Sequence, residues 1–450
     1  MAVRQLRLPV IFAFLIFAGL AIGQVPDRPD TTWVQTFDEE FINWATPVTR
    51  SFEFPSDAEL YGEVLLYLTI GCPEAPGDCD PWDRYAWLRL IEDLGGGDTR
   101  DVEIARFITP YDITGSNPQL PQTCTWVYDL SDYKFLLKDM VDLKLYIESW
   151  MGDNRGWLIT CDFAFVRGYD ELRPFEIVNL YLDDWIIYGD DYFAHEAELP
   201  PVEVLAPAEA VAAKVRMTTT GHGFGFYQNC AEFCPKDHSI VVGTDTWTHM
   251  LWNVCADNPC SPQYGTWQYS RAGWCPGDKV TPWDNDITAL LTPGEMMTFD
   301  YNIEEYFNPC NPTNLDCIPG QTCSDCNYDG TTPPNWKVMG QVIFYRYDPT
   351  ATPGGTPSPR LELGQNFPNP FNPTTTIYYE IQNPGTMTLR IISAGGRLLR
   401  EVERHHETAG SFHYLWDGRD ERGEVAPSGV YFYEMQMGDE RHAKKMILLQ

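Results

Sequence analysis

The chain is built from short segments in which apolar and polar residues alternate, and Gly, Pro, Asn and Asp separate these segments. Alternation with a period of two is typical of a strand with one buried face, whereas long helical periodicity is scarce here. The clearest strands are predicted at residues 64–70, 143–149, 215–219, 338–345 and 387–392. This pattern predicts an all-β protein made of β-sandwiches or jelly rolls.

Composition and charge narrow the class of protein. Hydrophobic residues make up 44% of the 450 residues and aromatic residues 14%, which is too apolar for a disordered chain. The formal net charge is −33 at pH 7, which argues against a basic groove for nucleic acid and against a polybasic membrane-binding patch. We therefore expect no nucleic acid among the partners.

The first residues have the pattern of a secretory signal. Arg4 and Arg7 precede an apolar run at 8–21, and small residues close this run at 21–23. The small residues predict cleavage before Gln24. A membrane anchor is the alternative interpretation, but it would need a longer apolar run. No other stretch of the sequence is apolar and long enough for a stable membrane span. We expect a protein that is secreted, extracellular or held at the outer-membrane surface.

The sequence contains 13 cysteines, and in an exported protein most of them should form disulfides. Closeness along the chain predicts the pairs Cys72–Cys79, Cys230–Cys234 and Cys255–Cys275, and less directly Cys124–Cys161. A cluster that can close two more bridges contains Cys310, Cys317, Cys323 and Cys326, which leaves Cys260 unpaired. A zinc site at 230–234 is a weaker alternative, because no partner pair lies nearby.

Three short motifs place a carboxylate beside an aromatic residue. They are Cys79-Asp80-Pro81-Trp82-Asp83-Arg84-Tyr85-Ala86, Tyr146-Ile147-Glu148-Ser149-Trp150 and Cys230-Ala231-Glu232-Phe233-Cys234. Carboxylates transfer protons, and aromatic faces bind the apolar side of a sugar ring. The motifs therefore predict a hydrolase that acts on a sugar-bearing substrate.

Each acid taken alone has a simpler structural interpretation. Asp83 precedes a predicted strand at 85–90 and is of a type that caps turns or pairs with a nearby arginine. Glu148 is predicted on a strand, on the same face as Lys144, Tyr146 and Trp150, which is an ordinary solvent-facing pattern. Glu232 is predicted near the tip of a disulfide-closed loop. Catalysis is thus predicted from the set of three acids and from no single member.

The set of motifs resembles the bacterial peptide:N-glycosidase F family, in the same order along most of residues 30–345. Two further matching stretches are Arg106-Phe107-Ile108-Thr109-Pro110-Tyr111 and Arg271-Ala272-Gly273-Trp274-Cys275-Pro276-Gly277. The resemblance implies two consecutive jelly-roll β-sandwiches with the active site in the cleft between them. It also implies hydrolysis of the amide bond that joins an N-linked glycan to asparagine. The chain departs from the family at Phe233, where a tryptophan is usual.

The same resemblance implies roles for individual residues. Asp83 is similar to the family's principal catalytic acid, Glu232 to a second essential carboxylate that acts through water, and Glu148 to a third, supporting acid. Residues that shape the cleft or bind substrate are expected to be Arg84, Trp150, Arg271 and Trp274. No metal and no cofactor are expected, and no covalent intermediate. The expected substrates are N-glycosylated peptides and glycoproteins.

The last block of the chain resembles the C-terminal sorting domain of the type IX secretion system. It opens with Asn366-Phe367-Pro368-Asn369-Pro370-Phe371-Asn372-Pro373 and ends with Lys444-Lys445-Met446-Ile447-Leu448-Leu449. This implies the type IX machinery as a partner, although a generic carbohydrate-binding sandwich is an alternative. The expected division is a signal peptide, two jelly rolls, a linker and a small Ig-like β-sandwich, at residues 1–23, 24–172, 173–348, 349–361 and 362–450.

Two other functions stay open at this stage. A copper-dependent peptidylglycine-type monooxygenase uses a similar pair of jelly rolls, but its coppers need about five histidines and a methionine. The four histidines of this region are scattered in sequence: His195, His222, His238 and His249. A surface-delivered glycan-binding adhesin would use the tryptophans but would need no set of three acids. The segment 310–326 is interpreted as an insertion, in which Asp316, Asp325 and the nearby Asp329 are weak candidates for calcium binding.

Overall fold

The computed structural model describes residues 31–56, 61–74, 77–111, 123–168, 170, 172–189, 198–224, 228–256, 259–308, 333–347, 361–364, 366, 369, 371, 373–381, 384–393, 397–406, 410–438 and 440–448. The predicted signal, most of the predicted linker and the cysteine cluster at 310–326 lie outside these residues. The chain divides into two compact units, Met1–Tyr347 and Asp348–Gln450.

The first sandwich packs two sheets face to face. One sheet contains Thr31–Gln35 (β1), Glu40–Ile42 (β2), Tyr61–Gly71 (β4), Asp78–Cys79 (β5), Thr123–Asp129 (β8) and Arg155–Arg167 (β10), in the order β1-β10-β4-β8 with β2 and β5 also paired to β10. The other contains Val48–Phe54 (β3), Tyr85–Gly95 (β6), Asp98–Ile108 (β7), Asp139–Ile147 (β9) and Asp278–Lys279 (β16), in the order β16-β7-β6-β9-β3. The alternation in β4 explains the packing, since Val64, Leu66, Leu68 and Ile70 are fully buried.

The second sandwich is built in the same way. One sheet contains Leu172–Ile187 (β11), Ala212–His222 (β13), Trp283–Asp286 (β17) and Asn335–Tyr347 (β19), in the order β11-β19-β13-β17. The other contains Val202–Leu205 (β12), Lys236–Val242 (β14), Asp245–Leu251 (β15) and Met296–Ile303 (β18), in the order β12-β18-β14-β15. Large side chains such as Trp336 and Phe299 fill the core between the sheets.

The two sandwiches are joined by strand pairing and by buried hydrogen bonds. Strand β16 comes from the second half of the chain but pairs with β7 of the first sandwich. Arg106 on β7 is buried and donates from Nη1 to the carbonyl oxygens of Thr218 and Lys337, at 3.1 and 2.8 Å. Gln341 donates to the carbonyl oxygen of Glu103 at 3.1 Å. Such contacts across the interface fix the relative position of the sandwiches, on which any site between them depends.

The disulfides confirm three of the predicted pairs and correct the fourth. Cys72–Cys79, Cys230–Cys234 and Cys255–Cys275 are bonded. Cys124 pairs with Cys260, so the predicted Cys124–Cys161 pair and the unpaired Cys260 were wrong. The reason is sheet geometry. Strands β8 and β10 flank β4 on opposite sides, which separates them by about 10 Å and exceeds the reach of a disulfide.

The correct pairing has a structural consequence, because Cys124 lies on β8 of the first sandwich and Cys260 precedes β16 in the second half of the chain. The bond is therefore a covalent link between the two halves. Cys161, in contrast, is a buried free thiol in the first core, and burial raises the pKa of this thiol far above its usual value.

The second unit is a small sandwich of its own. One sheet contains Leu361–Leu363 (β20), Thr375–Ile381 (β21) and Gly410–Trp416 (β24), in the order β20-β21-β24. The other contains Gly385–Ser393 (β22), Leu398–His406 (β23), Gly429–Met437 (β25) and Glu440–Leu448 (β26), in the order β23-β22-β25-β26. Trp416 and Tyr433 are fully buried between the sheets.

The all-β prediction is confirmed, and each of the five predicted strands overlaps a strand of the structure, although the strand predicted at 143–149 ends at Ile147. Strand β10 ends at Arg167 and strand β11 begins at Leu172, close to the boundary predicted between the two jelly rolls after residue 172. The full domain division stays a prediction. Within the described residues, no helix has the length and apolar character needed to cross a membrane.

Candidate active site

Asp83 lies in a short turn immediately before β6, and a buried threonine fixes this turn. The Thr109 hydroxyl accepts the Arg84 N–H at 2.8 Å and donates to the Trp82 carbonyl oxygen at 3.0 Å, while the Thr109 N–H donates to the Arg84 carbonyl oxygen at 2.9 Å. The backbone is thus held on both sides of Asp83. A carboxylate on such a rigid turn needs little reorganisation to act.

Glu232 is positioned from the second sandwich by the loop that Cys230–Cys234 closes. Its N–H donates to the carbonyl oxygen of Gly223, and its own carbonyl oxygen accepts the Ala272 N–H, both at 2.9 Å. The second of these bonds ties the acid directly to the segment that carries Arg271.

Arg271 brings the two acids together. Its side chain is fully buried, and its guanidinium lies 3.1 Å from Glu232 through Nε and 3.7 Å from Asp83 through Nη2. Nη1 donates to the carbonyl oxygens of Thr266 and Tyr269, at 3.2 and 2.8 Å. One cation therefore connects a carboxylate of the first sandwich with a carboxylate of the second.

Backbone and aromatic rings pack closely around Arg271. Gly273 has φ +82°, and a Cβ at this position would lie 2.3 Å from the carbonyl oxygen of Thr219. The rings of Trp274 and Phe233 have their centroids 4.9 and 5.1 Å from the guanidinium carbon of Arg271. Aromatic faces at this distance stabilise a buried cation.

Burial shifts the proton affinity of both acids upward. Desolvation raises the pKa of Asp83 to about 6, against the opposing effects of Arg271 and of a hydrogen bond from Tyr111. Desolvation and the neighbouring charge of Asp83 raise the pKa of Glu232 to about 7, while Arg271 lowers it. Because the two acids repel each other when both are ionised, they titrate as a coupled pair.

Glu148 lies just beyond the end of β9 rather than within the strand. Its N–H donates to the carbonyl oxygen of Tyr85 at 2.9 Å, which places it two residues from Asp83 across the sheet edge. Its carboxylate is partly exposed and lies 3.6 Å from Nζ of Lys337. All three acids therefore gather where the two sandwiches meet.

An exposed aromatic surface adjoins Glu148. Trp150 is 52% exposed and Trp44 is 49% exposed, and their rings meet edge to face with centroids 5.5 Å apart. Trp82, beside Asp83, is also exposed. Exposed tryptophans of this kind are typical of surfaces that bind sugars or peptides.

A known relative covers most of the first unit. It is peptide-N(4)-(N-acetyl-β-D-glucosaminyl)asparagine amidase F from Elizabethkingia miricola, 30% identical over 317 residues, which is 66% of this chain and 84% of the relative. The chain belongs to the peptide:N-glycosidase F family. The family model for the C-terminal part of peptide-N-glycosidase F also matches, at residues 190–320.

Solved structures agree on the fold. PNGase F, described as a glycosylasparaginase from Flavobacterium meningosepticum, is 24% identical with a TM-score of 0.58, and the match covers 70% of this chain and 96% of that one. PNGF-II is 15% identical with a TM-score of 0.53, covering 71% of this chain and 66% of that one. In the second unit, the family model named FlgD Ig-like domain matches residues 373–440.

Within this peptide:N-glycosidase F fold, Trp274, a predicted cleft residue, lies beneath the surface. Trp274 is 2% exposed, stacks on His222 and donates from its indole to the carbonyl oxygen of Gly221 at 2.6 Å. Direct contact between Trp274 and a substrate is therefore not what this structure shows; its position instead supports Arg271.

Arg84 also differs from a simple substrate contact. Its guanidinium donates to the buried carboxylate of Asp80, at 2.7 Å from Nε and 3.2 Å from Nη2. Asp80 in turn accepts the Ser149 hydroxyl at 2.8 Å, so that the first and second acidic motifs are joined. Arg84 holds these two motifs together as well as lying near the cleft.

Three other residues near the acids were not predicted as site residues from the sequence. Tyr111 ends the motif at residues 106–111, and the fold brings its hydroxyl to Asp83 and within 3.3 Å of Arg271 Nη2. Lys337 and Trp44 belong to no recognised motif. Their place near the site follows only from the fold, in which Lys337 of β19 contacts Glu148 and Trp44, after β2, pairs with Trp150.

Two histidines and the interface cavity lie apart from the acids, whereas His222 stacks on Trp274 and His195 lies outside the described residues. His238 is buried and hydrogen-bonded through Nδ1 to the Tyr301 hydroxyl at 2.7 Å, and His249 stacks on Trp283. Both histidines therefore have the contacts of packing residues. A cavity of about 260 Å³ between the sandwiches has none of the three acids in its lining.

Proposed function

We propose that this protein is a secreted peptide-N4-(N-acetyl-β-glucosaminyl)asparagine amidase that uses Asp83 and Glu232 as its catalytic pair. The observation that carries the assignment of residues is the single buried guanidinium of Arg271, which contacts one carboxylate from each sandwich. Family membership supplies the reaction: hydrolysis of the amide bond between asparagine and N-acetylglucosamine.

The raised pKa values explain how such a pair would work near neutral pH. With pKa values of about 6 and about 7, the pair holds roughly one proton between them in this range. The ionised member accepts a proton from the water that attacks the amide carbonyl carbon. The protonated member donates to the leaving nitrogen as the carbon–nitrogen bond breaks, which leaves aspartate in the peptide.

Arg271 and Tyr111 would hold this pair in its reactive state. The guanidinium keeps one member ionised and offers positive charge close to the oxygen on which negative charge develops. The Tyr111 hydroxyl, whose own pKa burial raises to about 12, stays protonated and donates to Asp83. No covalent intermediate is needed for this sequence of steps.

Substrate recognition is assigned to the exposed residues around the pair. Trp150 and Trp44 offer apolar faces for a sugar ring or for the peptide, and Glu148 offers a polar contact, while Arg84 supports the cleft through its pairing with Asp80. N-glycosylated peptides and glycoproteins are the proposed substrates. The copper monooxygenase and the adhesin are less consistent with the family match.

A glycopeptide assay tests the proposed function. Wild-type protein is incubated with a defined N-glycopeptide in heavy-oxygen water, and mass spectrometry follows the conversion of asparagine to labelled aspartate. Conversion by the wild-type chain but not by Asp83→Asn supports the proposal. Binding of the glycopeptide without any conversion would instead identify a glycan-binding adhesin.

We also propose export through the type IX secretion machinery, with the second unit as the sorting signal. The support is the sequence resemblance of residues 362–450 together with the compact Ig-like sandwich formed there. Deletion of residues 362–450 in a host that has this machinery should retain the active enzyme inside the outer membrane. Unchanged release of the truncated chain would contradict the assignment.

A further inference from the structure

Lys337 is a buried cation at the junction of the two sandwiches, close to the third acid. It lies on β19 of the second sandwich, and its side chain is only 6% exposed. Its Nζ is 3.6 Å from Glu148 Oε2, although Glu148 belongs to the first sandwich. No sequence motif includes this lysine.

The surroundings of Lys337 tie it to the same backbone that positions Glu148. Its Nζ lies 4.4 Å from the ring centroid of Tyr85, and the Tyr85 carbonyl oxygen accepts the Glu148 N–H at 2.9 Å. The carbonyl oxygen of Lys337 accepts from Arg106 Nη1 at 2.8 Å. The ammonium group therefore lies among Tyr85, Trp185 and Glu148, with Nζ 5.6 Å from the ring centroid of Trp185.

A second observation makes this contact more than interface packing. Asp83 and Glu148 both come from the first sandwich, and each lies close to a buried cation from the second, Arg271 for Asp83 and Lys337 for Glu148. Burying a lysine is unfavourable unless its charge is paired. The pairing is maintained here in the cleft, next to the reacting groups.

We propose that Lys337 is a positioning residue that orients Glu148 toward the substrate, so that the docking of the two sandwiches sets the geometry of the third acid. This inference rests on the proposed amidase function. The ammonium fixes one Glu148 oxygen and leaves the other for substrate. Without the ammonium, the partly exposed carboxylate can rotate into solvent and its contribution is lost.

A double-mutant cycle on the full chain tests this role. The variants are Lys337→Met, Glu148→Gln and the double variant, with kcat and KM measured on the same glycopeptide. We expect each single change to lower kcat/KM roughly tenfold, and the double change to be no worse than Glu148→Gln alone, as for two partners of one interaction. Lys337→Arg should recover part of the loss, because it keeps the positive charge although its guanidinium is larger than the ammonium group.

A matched control separates positioning from stability. Lys134 is as buried as Lys337 and pairs with Asp170 and with the Tyr61 carbonyl oxygen, away from the acids. Lys134→Met should lower the melting temperature without changing kcat/KM in the folded protein. If Lys337→Met does not fold, Lys337→Gln replaces it in the same cycle.

The outcomes are distinct. Losses that multiply in the double variant, or a Lys337→Met enzyme with unchanged kcat/KM, would overturn the role of Lys337 while leaving the amidase assignment in place. Absence of conversion by the wild-type chain would overturn the proposed function and this inference with it.

Discussion

The inner pair and the outer rim of the cleft differ in burial and in the sandwiches that supply their residues. The inner pair is Asp83 and Glu232 with Arg271 between them, one acid from each sandwich, and all three side chains are almost enclosed. The outer rim is Glu148, Trp44 and Trp150, which all come from the first sandwich and are partly or largely exposed.

From this difference we infer that the cleft separates proton transfer, at the buried acids, from substrate recognition, at the exposed rim. Burial raises the pKa values of the inner acids into the neutral range, where a carboxyl group can both accept and donate a proton during the reaction. Exposure leaves the rim accessible to a large, polar substrate. Changes to the inner pair should therefore lower kcat, whereas changes to the rim should mainly raise KM.

The largest effect is expected from removing the inner acid of the first sandwich. Asp83→Asn should lower kcat by ~10²–10⁴-fold, because the amide cannot exchange a proton with water or with the leaving nitrogen. Steady-state kinetics on a glycopeptide checks this. Asp142→Asn, an exposed change on β9, serves as the control. A kcat within a few-fold of wild type would remove Asp83 from the catalytic pair.

The cation between the acids comes next. Arg271→Lys should lower kcat by ~10²-fold, the usual cost of losing one charge-stabilising donor, since a single ammonium cannot reach both carboxylates and two carbonyl oxygens at once. Circular dichroism before the assay would separate this loss from unfolding. Full activity in a folded Arg271→Lys protein would show that contact with both acids is not required.

The inner pair also depends on the docking of the sandwiches, which the cross-link tests. Cys124 and Cys260 are 136 residues apart, whereas Cys72 and Cys79 are 7 apart. Replacing Cys124 and Cys260 by serine should lower the free energy of unfolding by roughly 2–3 kcal/mol more than replacing Cys72 and Cys79, because loop-closure entropy grows with loop length. Urea unfolding measures both variants. An equal loss in the free energy of unfolding for the two variants would contradict this prediction.

The smallest effect is expected at the rim. Trp44→Ala and Trp150→Ala should each raise KM about tenfold, which corresponds to about 1.4 kcal/mol of aromatic contact, with kcat little changed. Trp33, exposed on β1 of the same sandwich, is the control position. A fall in kcat with unchanged KM would place these tryptophans in the chemistry instead of in recognition.

Much of the fold could be predicted from the sequence because strand periodicity is local. In β4, successive side chains from Val64 to Ile70 alternate between the core and the outer face of the sheet. The Cys124–Cys260 link could not be predicted, since it depends on which strands flank β4 and on how the second sandwich docks.

The candidate site shows the same division. The three acids could be chosen because each lies in a short motif that a family shares. The depth of Trp274 and the pairing of Arg84 with Asp80 could not be read from spacing, as burial is decided by distant segments. Lys337 lies in an apolar strand with no local sign of its charge partner, so only the fold reveals it.

The pH dependence of kcat/KM for the wild-type enzyme tests whether Asp83 and Glu232 share a proton. Both inner acids have raised pKa values, so below about pH 6 the pair gains a second proton and loses its base. Above about pH 7 the pair loses its last proton and with it the acid. We expect a bell-shaped profile with its maximum between these values, replaced in Glu232→Gln by a low profile without the alkaline limb. A profile that stays flat through both values would contradict a shared proton between Asp83 and Glu232.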